Sequence, residues 1–440
     1  VLQGCGVYQK YSKATDVDRN LFGDEYADVD TTSIATVSWR EFFTDPQLRD
    51  LIDSALVRNT DQRTAHLRVE QAEASLSAAR LAFLPSVGLN GEGAVARWDG
   101  QNSKTYNLGA NASWELDIFG RVRNAKMEAK SALEGSLAYE QAVRTSLVAT
   151  VASTYYSMLM LDEQLAINER TLENWDKTVS AMKSLMKAGY FNKTAVLQAE
   201  ANKMALEQAV LSVKQSISET EKSMCSLLAM TPGSIERGTL DGQSFPQELS
   251  VGLPVSLLAN RPDVRQAEAQ LAQAFYAVGS ARSAFYPSLN LSGAAGWTNN
   301  GGGMVVNPGD LLLNMAGSLA QPLFNKGANV ANLKIAKAEQ EAALLAFRQK
   351  LLDAGAEVNN SLTSWQTARK RLEIGEKRIE SLKETVQKTE RLMKHSSVNY
   401  LEVLTAQQSL LSAEESQVQD RYEEIRSVIA LYQALGGGWR

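Results

Sequence analysis

The sequence predicts a mainly α-helical fold made of two copies of one unit, each with long helices and a β-hairpin. Three observations carry this prediction: proline is scarce, the chain repeats itself, and apolar residues recur every seven positions. Only nine of the 440 residues are proline, about 2% against a usual ~5%. None lies between Pro85 and Pro232, and none follows Pro322. Because proline breaks helix interiors, the long proline-free stretches have room for very long helices.

An internal duplication divides the chain. At an offset of 202 positions, residues 61–91 match the later sequence with 13 identities and no gap. The match includes a Phe-x-Pro-Ser at Phe83 and again at Phe285, each followed by strand-like residues. A second match, at an offset of 207, aligns 185–187 with 392–394. Chance similarity between alanine-rich helices does not explain the shared Phe-x-Pro-Ser, so we expect two copies of one unit.

A seven-residue period predicts the long helices. In the second copy, apolar residues recur every seven positions from Leu344 to Met393 without a miss. Such a sustained period is typical of a supercoiled helix held against neighbours. Each copy is expected to contain a helix of about 25 residues before its Phe-x-Pro, a long helix of about 65, and a return helix of about 37.

The end of each long helix is predicted to be a turn that leads into the return helix. Gly189 suits a left-handed helix C-terminus. Asn192 and Asn399 suit helix starts. The predicted organisation is an N-terminal segment at 1–45, a first repeat at 46–229, a connector at 230–258 and a second repeat at 259–440.

Between the helices the period switches to two, which predicts β-hairpins at about 86–118 and 288–323. Each strand exceeds the 9–11 residues needed to cross a bilayer when tilted. A soluble two-sheet packing is the alternative, but nothing else in the sequence is available to cover the apolar hairpin faces. Four strands cannot close a barrel with a lumen, and open edges are forbidden in lipid. We therefore expect closure by oligomerisation, with three chains giving twelve strands.

Several classes of function are disfavoured by composition. The formal charge of −5 comes without a basic cluster, so a nucleic-acid partner is not expected. The sequence contains no run of 18 apolar residues, so it predicts no membrane-spanning helix. The only histidines, His66 and His395, lie far apart, and the motifs of phosphate binding, serine hydrolases and zinc proteases are missing. We expect no metal, no cofactor and no enzymatic activity, and Cys225 is interpreted as helix packing.

Four segments carry a family resemblance that spans nearly the whole chain. They are Asn260–Ala269, Ala281–Ser288, Trp114–Gly120 and Leu431–Trp439. With these segments the chain resembles the TolC-like outer-membrane efflux proteins, in particular the lipoprotein OprM-like branch. The resemblance implies a homotrimer with a twelve-stranded outer-membrane barrel, a long periplasmic helical barrel and an equatorial collar that includes the N-terminal segment and the connector.

The resemblance also implies a function and partners. The family serves as the exit duct of a tripartite pump in Gram-negative bacteria, with a periplasmic adaptor and an inner-membrane transporter, here expected to be of the RND type. The runner-up interpretation is a coiled-coil structural or adaptor protein of the envelope that forms no channel. The residues Leu2-Gln3-Gly4-Cys5 are similar to the end of a lipoprotein signal, which implies a lipid attached to Cys5 and an anchor in outer-membrane lipid.

Site residues follow from the resemblance by position. Glu402 and Thr405 are the candidates for the aperture, although Glu402 is equally explained as a solvated acid at a helix start. The two helical turns are expected to form the periplasmic tip that contacts the adaptor. The tip residues are Gly189, Asn192, Thr194, Val196, Leu197, Ser396, Val398, Asn399, Leu401, Val403 and Leu404.

Overall fold

The structure, a computed structural model, describes residues 8–12, 37–190, 192–243, 261–298, 311–394 and 400–438. It is mostly helical, with one four-stranded sheet in this part of the chain. The elements in order are α1 (Trp39–Phe42), α2 (Pro46–Arg58), α3 (Thr60–Leu81), β1 (Ser86–Trp98), β2 (Gln101–Leu116), α4 (Arg121–Lys187), α5 (Lys193–Leu227), α6 (Pro262–Ser283), β3 (Ser288–Thr298), β4 (Leu311–Ala320), α7 (Ala328–Lys394) and α8 (Tyr400–Ala434).

Corresponding helices in the two halves of the chain have the same length. The helices α3 and α6 have 22 residues each, α4 and α7 have 67 each, and α5 and α8 have 35 each. At 1.5 Å per residue, a helix of 67 residues is about 100 Å long. The starts of these pairs differ by 202 or 207 positions, the same offsets at which the sequence matches itself.

The sheet joins the two hairpins in the order β1-β2-β3-β4, with every neighbouring pair antiparallel. In the first hairpin all of β1 pairs with residues 101–113 of β2, and in the second all of β4 pairs with residues 288–297 of β3. The central ladder pairs β2 with β3 from Asn107 opposite Thr298 to Leu116 opposite Leu289. The fold class predicted from the alternating sequence, long helices with four strands in one chain, is confirmed.

The chain divides into two compact units, and each draws segments from both halves of the sequence. The sheet unit contains the described N-terminal residues, His66–Tyr139 and Asp263–Lys350. The helix unit contains the remaining described residues, including most of α4 and α7 and all of α5 and α8.

A buried polar cluster organises the helix unit around Asp45. This residue begins α2, and its Oδ1 accepts hydrogen bonds from the backbone N–H groups of Gln47 and Leu48 at 2.9 and 3.5 Å. Its other oxygen accepts from the Tyr155 hydroxyl at 2.6 Å and from Gln243 Nε2 at 2.9 Å. Burial, with the neighbouring Asp45 carboxylate, raises the pKa of Tyr155. The cluster therefore joins α2, α4 and the segment after α5 through hydrogen bonds among buried side chains.

Two of the segments that carry the family resemblance meet in the helix unit. Arg261, immediately before α6, donates through Nη1 to the carbonyl oxygen of Ala434 at 2.7 Å and pairs through Nη2 with Glu357 at 2.6 Å. Gly436 has a φ of 86°, a left-handed backbone conformation that glycine adopts readily. In this conformation the residues after α8 pack on Arg261. These residues fix the C-terminal segment against the start of α6.

Candidate functional site: a two-faced sheet and two helical turns

The antiparallel register sorts the side chains of the sheet into two faces. One row runs Leu89, Ala110, Ala295 and Leu313 across all four strands. The next row along the strands runs Gly88, Asn111, Ala294 and Asn314 on the opposite face. The apolar face carries Val87, Leu89, Val95, Leu108, Trp114, Leu289, Leu291, Trp297, Leu313, Met315 and Leu319. The polar face carries Ser86, Asn90, Glu92, Asn107, Asn111, Ser113, Glu115, Ser288, Asn290, Ser292, Asn314 and Ser318.

The described residues leave the apolar face of the sheet uncovered. Leu89 is 88% exposed, Leu313 72% and Met315 92%. The described part of the chain contains no second sheet to pack on them, so the alternative of a soluble two-sheet packing lacks its partner. A contiguous apolar surface of this kind marks a membrane or protein contact. With strands of 10 to 16 residues, the sheet is long enough to cross a bilayer.

Two glycines allow the hairpins to approach each other closely. Gly109 on β2 lies opposite Gly296 on β3. A Cβ added to Gly109 would lie 2.8 Å from the carbonyl oxygen of Ala295, and one added to Gly296 would overlap the carbonyl oxygen of Leu108. Only glycine fits at either position, so this pair sets the spacing of the joint between the two halves of the sheet.

All four connections between helices and strands lie at one end of the sheet, which we call the junction end. The register places Ser86 opposite Ser113, Leu116 opposite Leu289, and Ser288 opposite Ala320. Here Trp114 Nε1 donates to the carbonyl oxygen of Phe83 at 2.9 Å, and the rings of Phe119 and Tyr286 stack with centroids 5.0 Å apart. Aromatic side chains therefore surround the point where the helices give way to the strands.

The described N-terminal residues pack on the sheet unit at the same end. Tyr8 lies over Gly120, whose added Cβ would be 3.3 Å from the Tyr8 Cβ, and the Arg123 guanidinium lies 5.1 Å from the Tyr8 ring centroid. Further along, the Tyr11 N–H donates to the Tyr276 hydroxyl at 3.4 Å. Tyr8 is thus held at the junction end, while Cys5 lies outside the described residues.

The first helical turn follows the end of α4 and has the predicted backbone. Gly189 has a φ of 85°, the left-handed conformation expected of a helix C-terminus. The N–H groups of Gly189 and Tyr190 donate back to Met186 and Leu185 at 3.0 Å each, which satisfies the last carbonyls of α4. Asn192 caps α5, since its Oδ1 accepts from the N–H of Ala195 at 3.0 Å.

The second turn is described from Tyr400 onward, and Ser396, Val398 and Asn399 lie outside the described residues. At the start of α8, Leu401, Glu402 and Thr405 are exposed, whereas Val403 and Leu404 are buried. In the first turn, Gly189, Asn192, Thr194 and Leu197 are exposed, and Val196 is buried. The described members of this set thus divide into buried residues inside the helix unit and exposed residues on its surface.

Hydrogen bonds from Gln407 bring the two turns to the same end of the helix unit. Its Nε2 donates to Thr178 Oγ1 on α4 at 3.2 Å and to Glu390 Oε1 on α7 at 2.9 Å. Thr178 lies 11 residues before Gly189, and Glu390 lies in the last turns of α7. The last part of α4, the end of α7 and the start of α8 therefore lie close together in the helix unit.

Ion pairs join α8 to its neighbouring helices further from the turns. Glu414, 12% exposed, pairs with Arg170 on α4 at 3.1 Å and with Lys383 on α7 at 3.4 Å. Cavities of about 440 and 340 Å³ flank this triad, and all three residues line both of them. Asp420 pairs with Arg371 at 2.6 Å, and burial raises its pKa while the guanidinium opposes the shift.

These hydrogen bonds and ion pairs of α8 were not predicted from the sequence, although the spacing of its polar residues is consistent with them. Gln407, Glu414 and Arg421 recur every seven residues on α8, at the spacing of a helix seam. Polar residues at seam spacing indicate contacts to other helices that are made by hydrogen bonds and charges. The docking of Tyr8 and Tyr11 has no comparable signal, because it joins residues far apart in sequence.

No catalytic constellation is found in the described part of the chain. No group of three or more His, Cys, Asp or Glu side chains there could hold a metal ion. Cys225 is buried in α5, and its thiol lies 3.5 Å from the carbonyl oxygen of Gly233. His66 is exposed near Glu70 at 3.8 Å. Among the described helices, none is both long and apolar enough to cross a membrane.

An exposed sheet with one apolar and one polar face, joined in the chain to helices of 67 residues, defines a class of protein. It is a membrane channel protein of the outer-membrane type, in which strands cross the lipid and helices extend away from it. The chain belongs to the outer membrane efflux protein family, which matches it twice, over residues 51–229 and 253–437.

Individual relatives agree with the family. The cation efflux system protein CusC of Escherichia coli O6:H1 is 31% identical over 408 residues, which cover 91% of this chain and 88% of CusC. The probable outer membrane lipoprotein SilC of Salmonella typhimurium is 30% identical over 414 residues, covering 92% and 89%. A crystal structure of CusC, 28% identical, matches with a TM-score of 0.89 over 99% of this chain and 100% of that one.

The open state of the Neisseria gonorrhoeae outer membrane channel MtrE, 30% identical, matches with a TM-score of 0.88 over 98% of both chains. The chain is accordingly a channel protein of an efflux system in the outer membrane.

Proposed function

We propose that three copies of the chain form a passive exit duct, through which a separate inner-membrane pump expels its substrates. The duct does no chemistry, and the energy comes from its partners. The observation that carries this proposal is the two-faced sheet: an apolar face for lipid, a polar face for an aqueous lumen, and two edges that no described strand pairs with.

Strand number and direction support closure by copies of the same chain. Within the described residues, β1 pairs only with β2 and β4 pairs only with β3, so each leaves one row of backbone groups for another strand. Because four antiparallel strands are an even number, β4 of one copy would meet β1 of the next in antiparallel orientation. Three copies supply twelve strands, which is wide enough for an aqueous passage.

The long helices offer a second contact between copies. Along α7, the residues Ala331, Ile335, Ala338, Ala342 and Leu345 recur at alternating intervals of four and three, and all are exposed. Ile335 and Leu345 are 55% and 58% exposed. This spacing is that of a helix seam, so we infer that another helix covers it.

The first half of the chain shows which helix covers such a seam. The positions on α4 that correspond to Ala331, Ala338 and Leu345 at the offset of 207 are Asn124, Ser131 and Ala138, which are 1%, 5% and 1% exposed. In the sheet unit α6 lies against this face of α4: a Cβ added to Gly135 would be 3.5 Å from Ala269, and one added to Gly279 would be 2.5 Å from Asn124 Oδ1.

The helix of the first half that corresponds to α6 is α3. Its side chains are exposed at positions where those of α6 are buried. Ala269 is 7% exposed, whereas its counterpart Leu67 is 53% exposed, and Leu81 on the same helix is 60% exposed. By the equivalence of the two halves, α3 of one copy would pack on α7 of the next. We refer to this predicted contact as the α7–α3 seam.

The exposed tip residues are proposed to bind the periplasmic adaptor, and the inner-membrane transporter is proposed to be of the RND type. Gly189, Asn192, Thr194 and Leu197 present the first turn, and Leu401 presents the second. Ser396, Val398 and Asn399 remain predicted contacts. The buried Val196, Val403 and Leu404 support these turns. Glu402 and Thr405 are proposed to narrow the aperture.

Lipid attachment at Cys5 is proposed as an additional anchor in outer-membrane lipid. Cys5 precedes Tyr8 by three residues, so their Cα atoms are at most about 11 Å apart. Tyr8 is held at the junction end by Gly120 and Arg123. A lipid on Cys5 would therefore enter the membrane beside the start of the strands.

The decisive experiment is single-channel recording of the purified full chain in a planar bilayer, together with its mass in detergent. We expect a trimer that conducts ions, with Glu402→Ala recorded in parallel in case the resting aperture is closed. A monomer in detergent that gives no conductance, for the wild type and for Glu402→Ala, would rule out the duct and favour a structural or adaptor role.

A further inference from the structure

The junction end of the sheet unit carries an excess of positive charge in an overall acidic chain. The four connections between helices and strands, residues 80–86, 115–126, 282–288 and 320–328, contain six basic and two acidic side chains, a net charge of +4. The whole chain has a formal charge of −5. Arg80 and Arg282 lie in the last turns of α3 and α6, where the helix dipole favours a cation, but Arg123 and Lys126 lie near the start of α4, where it does not.

Both acidic side chains in these connections are already engaged. Glu115 forms a two-point ion pair with Arg121. The carboxylate of Asp117 accepts hydrogen bonds from the backbone N–H groups of Val122 and Arg123 at 2.8 and 3.0 Å, which caps α4. The remaining five basic side chains have no acidic partner among the described residues; they are Arg80, Arg123, Lys126, Arg282 and Lys326.

Each connection also exposes an apolar side chain close to its basic one. Leu84 is 61% exposed and follows Arg80 by four residues, and Tyr286 is 40% exposed and follows Arg282 by the same interval. Phe324, two residues before Lys326, is 87% exposed. In the remaining connection Ile118, which precedes Arg123, is 59% exposed. The pairing of an exposed apolar residue with a basic one thus occurs at all four connections.

Aromatic rings lie against two of the cations at the junction end. Lys126 Nζ lies 5.6 Å from the centroid of Phe83, and the backbone oxygen of Phe83 accepts from Trp114, a residue of the apolar face. Arg123 lies 5.1 Å from the centroid of Tyr8. A cation over a ring keeps its remaining N–H donors available, because the ring occupies only one side of it.

We propose that these five basic side chains form a collar that binds the headgroups of anionic phospholipids, in the leaflet that meets the junction end. The exposed apolar residue of each connection would lie in the acyl region, and the basic side chains would lie one step further out at the level of the phosphates. The N–H donors of Arg and Lys suit phosphate oxygens. The collar would fix the depth of the channel in the membrane by charge as well as by apolar area.

The experiment titrates the delipidated full chain in neutral detergent with phosphatidylglycerol and, separately, with phosphatidylcholine, and counts bound lipids by native mass spectrometry. We expect phosphatidylglycerol to bind at least about tenfold more tightly than phosphatidylcholine. Added salt should reduce this difference in affinity, because salt screens exposed charges. Equal binding of the two lipids by the wild type would overturn the proposal without any variant.

A pair of charge variants tests the location of the site. Replacing Arg80, Arg123, Lys126 and Arg282 by Gln should abolish the preference for phosphatidylglycerol. The control replaces Arg369, Lys370, Lys377 and Arg378 by Gln, an equal loss of exposed charge on α7 in the helix unit. Arg369 matches the collar in geometry, since it lies 5.2 Å from the ring centroid of Trp365.

The control should keep the preference, and a control that loses it as fully as the collar variant would overturn the proposal. If the fourfold collar variant is not recovered as a folded protein, Lys126→Gln and Lys326→Gln are tested singly and should each weaken binding of phosphatidylglycerol. The inference rests on the sheet crossing the membrane and not on the proposed trimer. A conducting trimer without lipid preference would overturn the collar alone.

Discussion

Single buried polar residues contribute specific hydrogen bonds to the helix unit, and Tyr155 is the clearest case. Its hydroxyl donates to Asp45 at 2.6 Å and accepts from the backbone N–H of Gly238 at 2.9 Å. Tyr155→Phe would leave both groups short of a partner inside the protein, so we expect a loss of about 1–3 kcal/mol in the free energy of unfolding. Urea denaturation followed by circular dichroism measures this.

The control for Tyr155→Phe removes a hydroxyl from an exposed tyrosine, Tyr190, which is 65% exposed. This control should unfold like the wild type. Equal midpoints for the wild type and Tyr155→Phe would contradict the role assigned to the buried cluster.

Asp420 predicts a dependence of stability on pH. Burial raises its pKa above the ordinary value of about 3.9, so the folded protein binds this proton more readily than the unfolded chain. Its contribution to stability should therefore increase as the pH falls from neutral through the raised pKa, and become constant below the ordinary value. Asp420→Asn should remove this increase, measured as thermal midpoints between pH 7 and pH 4.

The quantity to compare is the difference in thermal midpoint between the wild type and the variant at each pH. Taking this difference cancels the effects of other titrating groups. Replacing an exposed carboxylate, as in Asp50→Asn on α2, serves as the control. A difference between wild type and Asp420→Asn that stays constant with pH would contradict the assignment.

At the scale of elements, the approach of β2 to β3 depends on glycine. Gly296→Ala would drive a methyl group into the backbone of Leu108 and Gly109, and overpacking of this kind typically costs about 1–3 kcal/mol. We expect a lower yield of folded protein and a lower thermal midpoint. Gly293→Ala on the same strand is the matched control, because its Cβ would have the carbonyl oxygen of Asn314 as nearest neighbour at 3.7 Å. Equal effects of the two changes would contradict the argument.

The α7–α3 seam makes a prediction about assembly. Ala338 lies on the exposed seam and corresponds to Ser131, which is 5% exposed, whereas Asn332 and its counterpart Ala125 are both exposed. Ala338→Glu should therefore bury an unpaired charge between copies, which costs several kcal/mol, and should shift the trimer toward monomers. Mass photometry in detergent measures the shift.

Asn332→Glu introduces the same charge on the same helix away from the seam and should leave the trimer intact. A stable trimer with Ala338→Glu would place the contact between copies on another surface.

At the scale of the whole molecule, the aperture is tested by conductance. Three copies would bring three Glu402 side chains together if the exposed start of α8 narrows the duct. Glu402→Ala should then raise the single-channel conductance by removing bulk, and lower the preference for cations by removing charge. Glu384→Ala, an exposed carboxylate on α7, is the control. Unchanged conductance and selectivity would mean that Glu402 only stabilises the positive end of α8.

Much of the fold could be predicted because its signals are local and periodic. The seven-residue period identified the long helices, and the alternation from Tyr106 to Leu116 identified strand β2 and its two faces. Gly189 revealed its left-handed turn because only a residue without Cβ adopts that backbone readily. At the tip, however, periodicity did not separate exposed Leu197 and Leu401 from buried Val196, Val403 and Leu404, since all are apolar.

The sequence by itself determined the two-copy plan, the lengths of the helices, the faces of the strands and the family, because each depends on the spacing of residues along one segment. Only the tertiary structure decided which distant residues meet. It alone joined Glu414 to Arg170 and Lys383, Tyr8 to Arg123, and β2 to β3 at paired glycines. Such contacts depend on how helices and strands pack in three dimensions, and a one-dimensional pattern does not encode that packing locally.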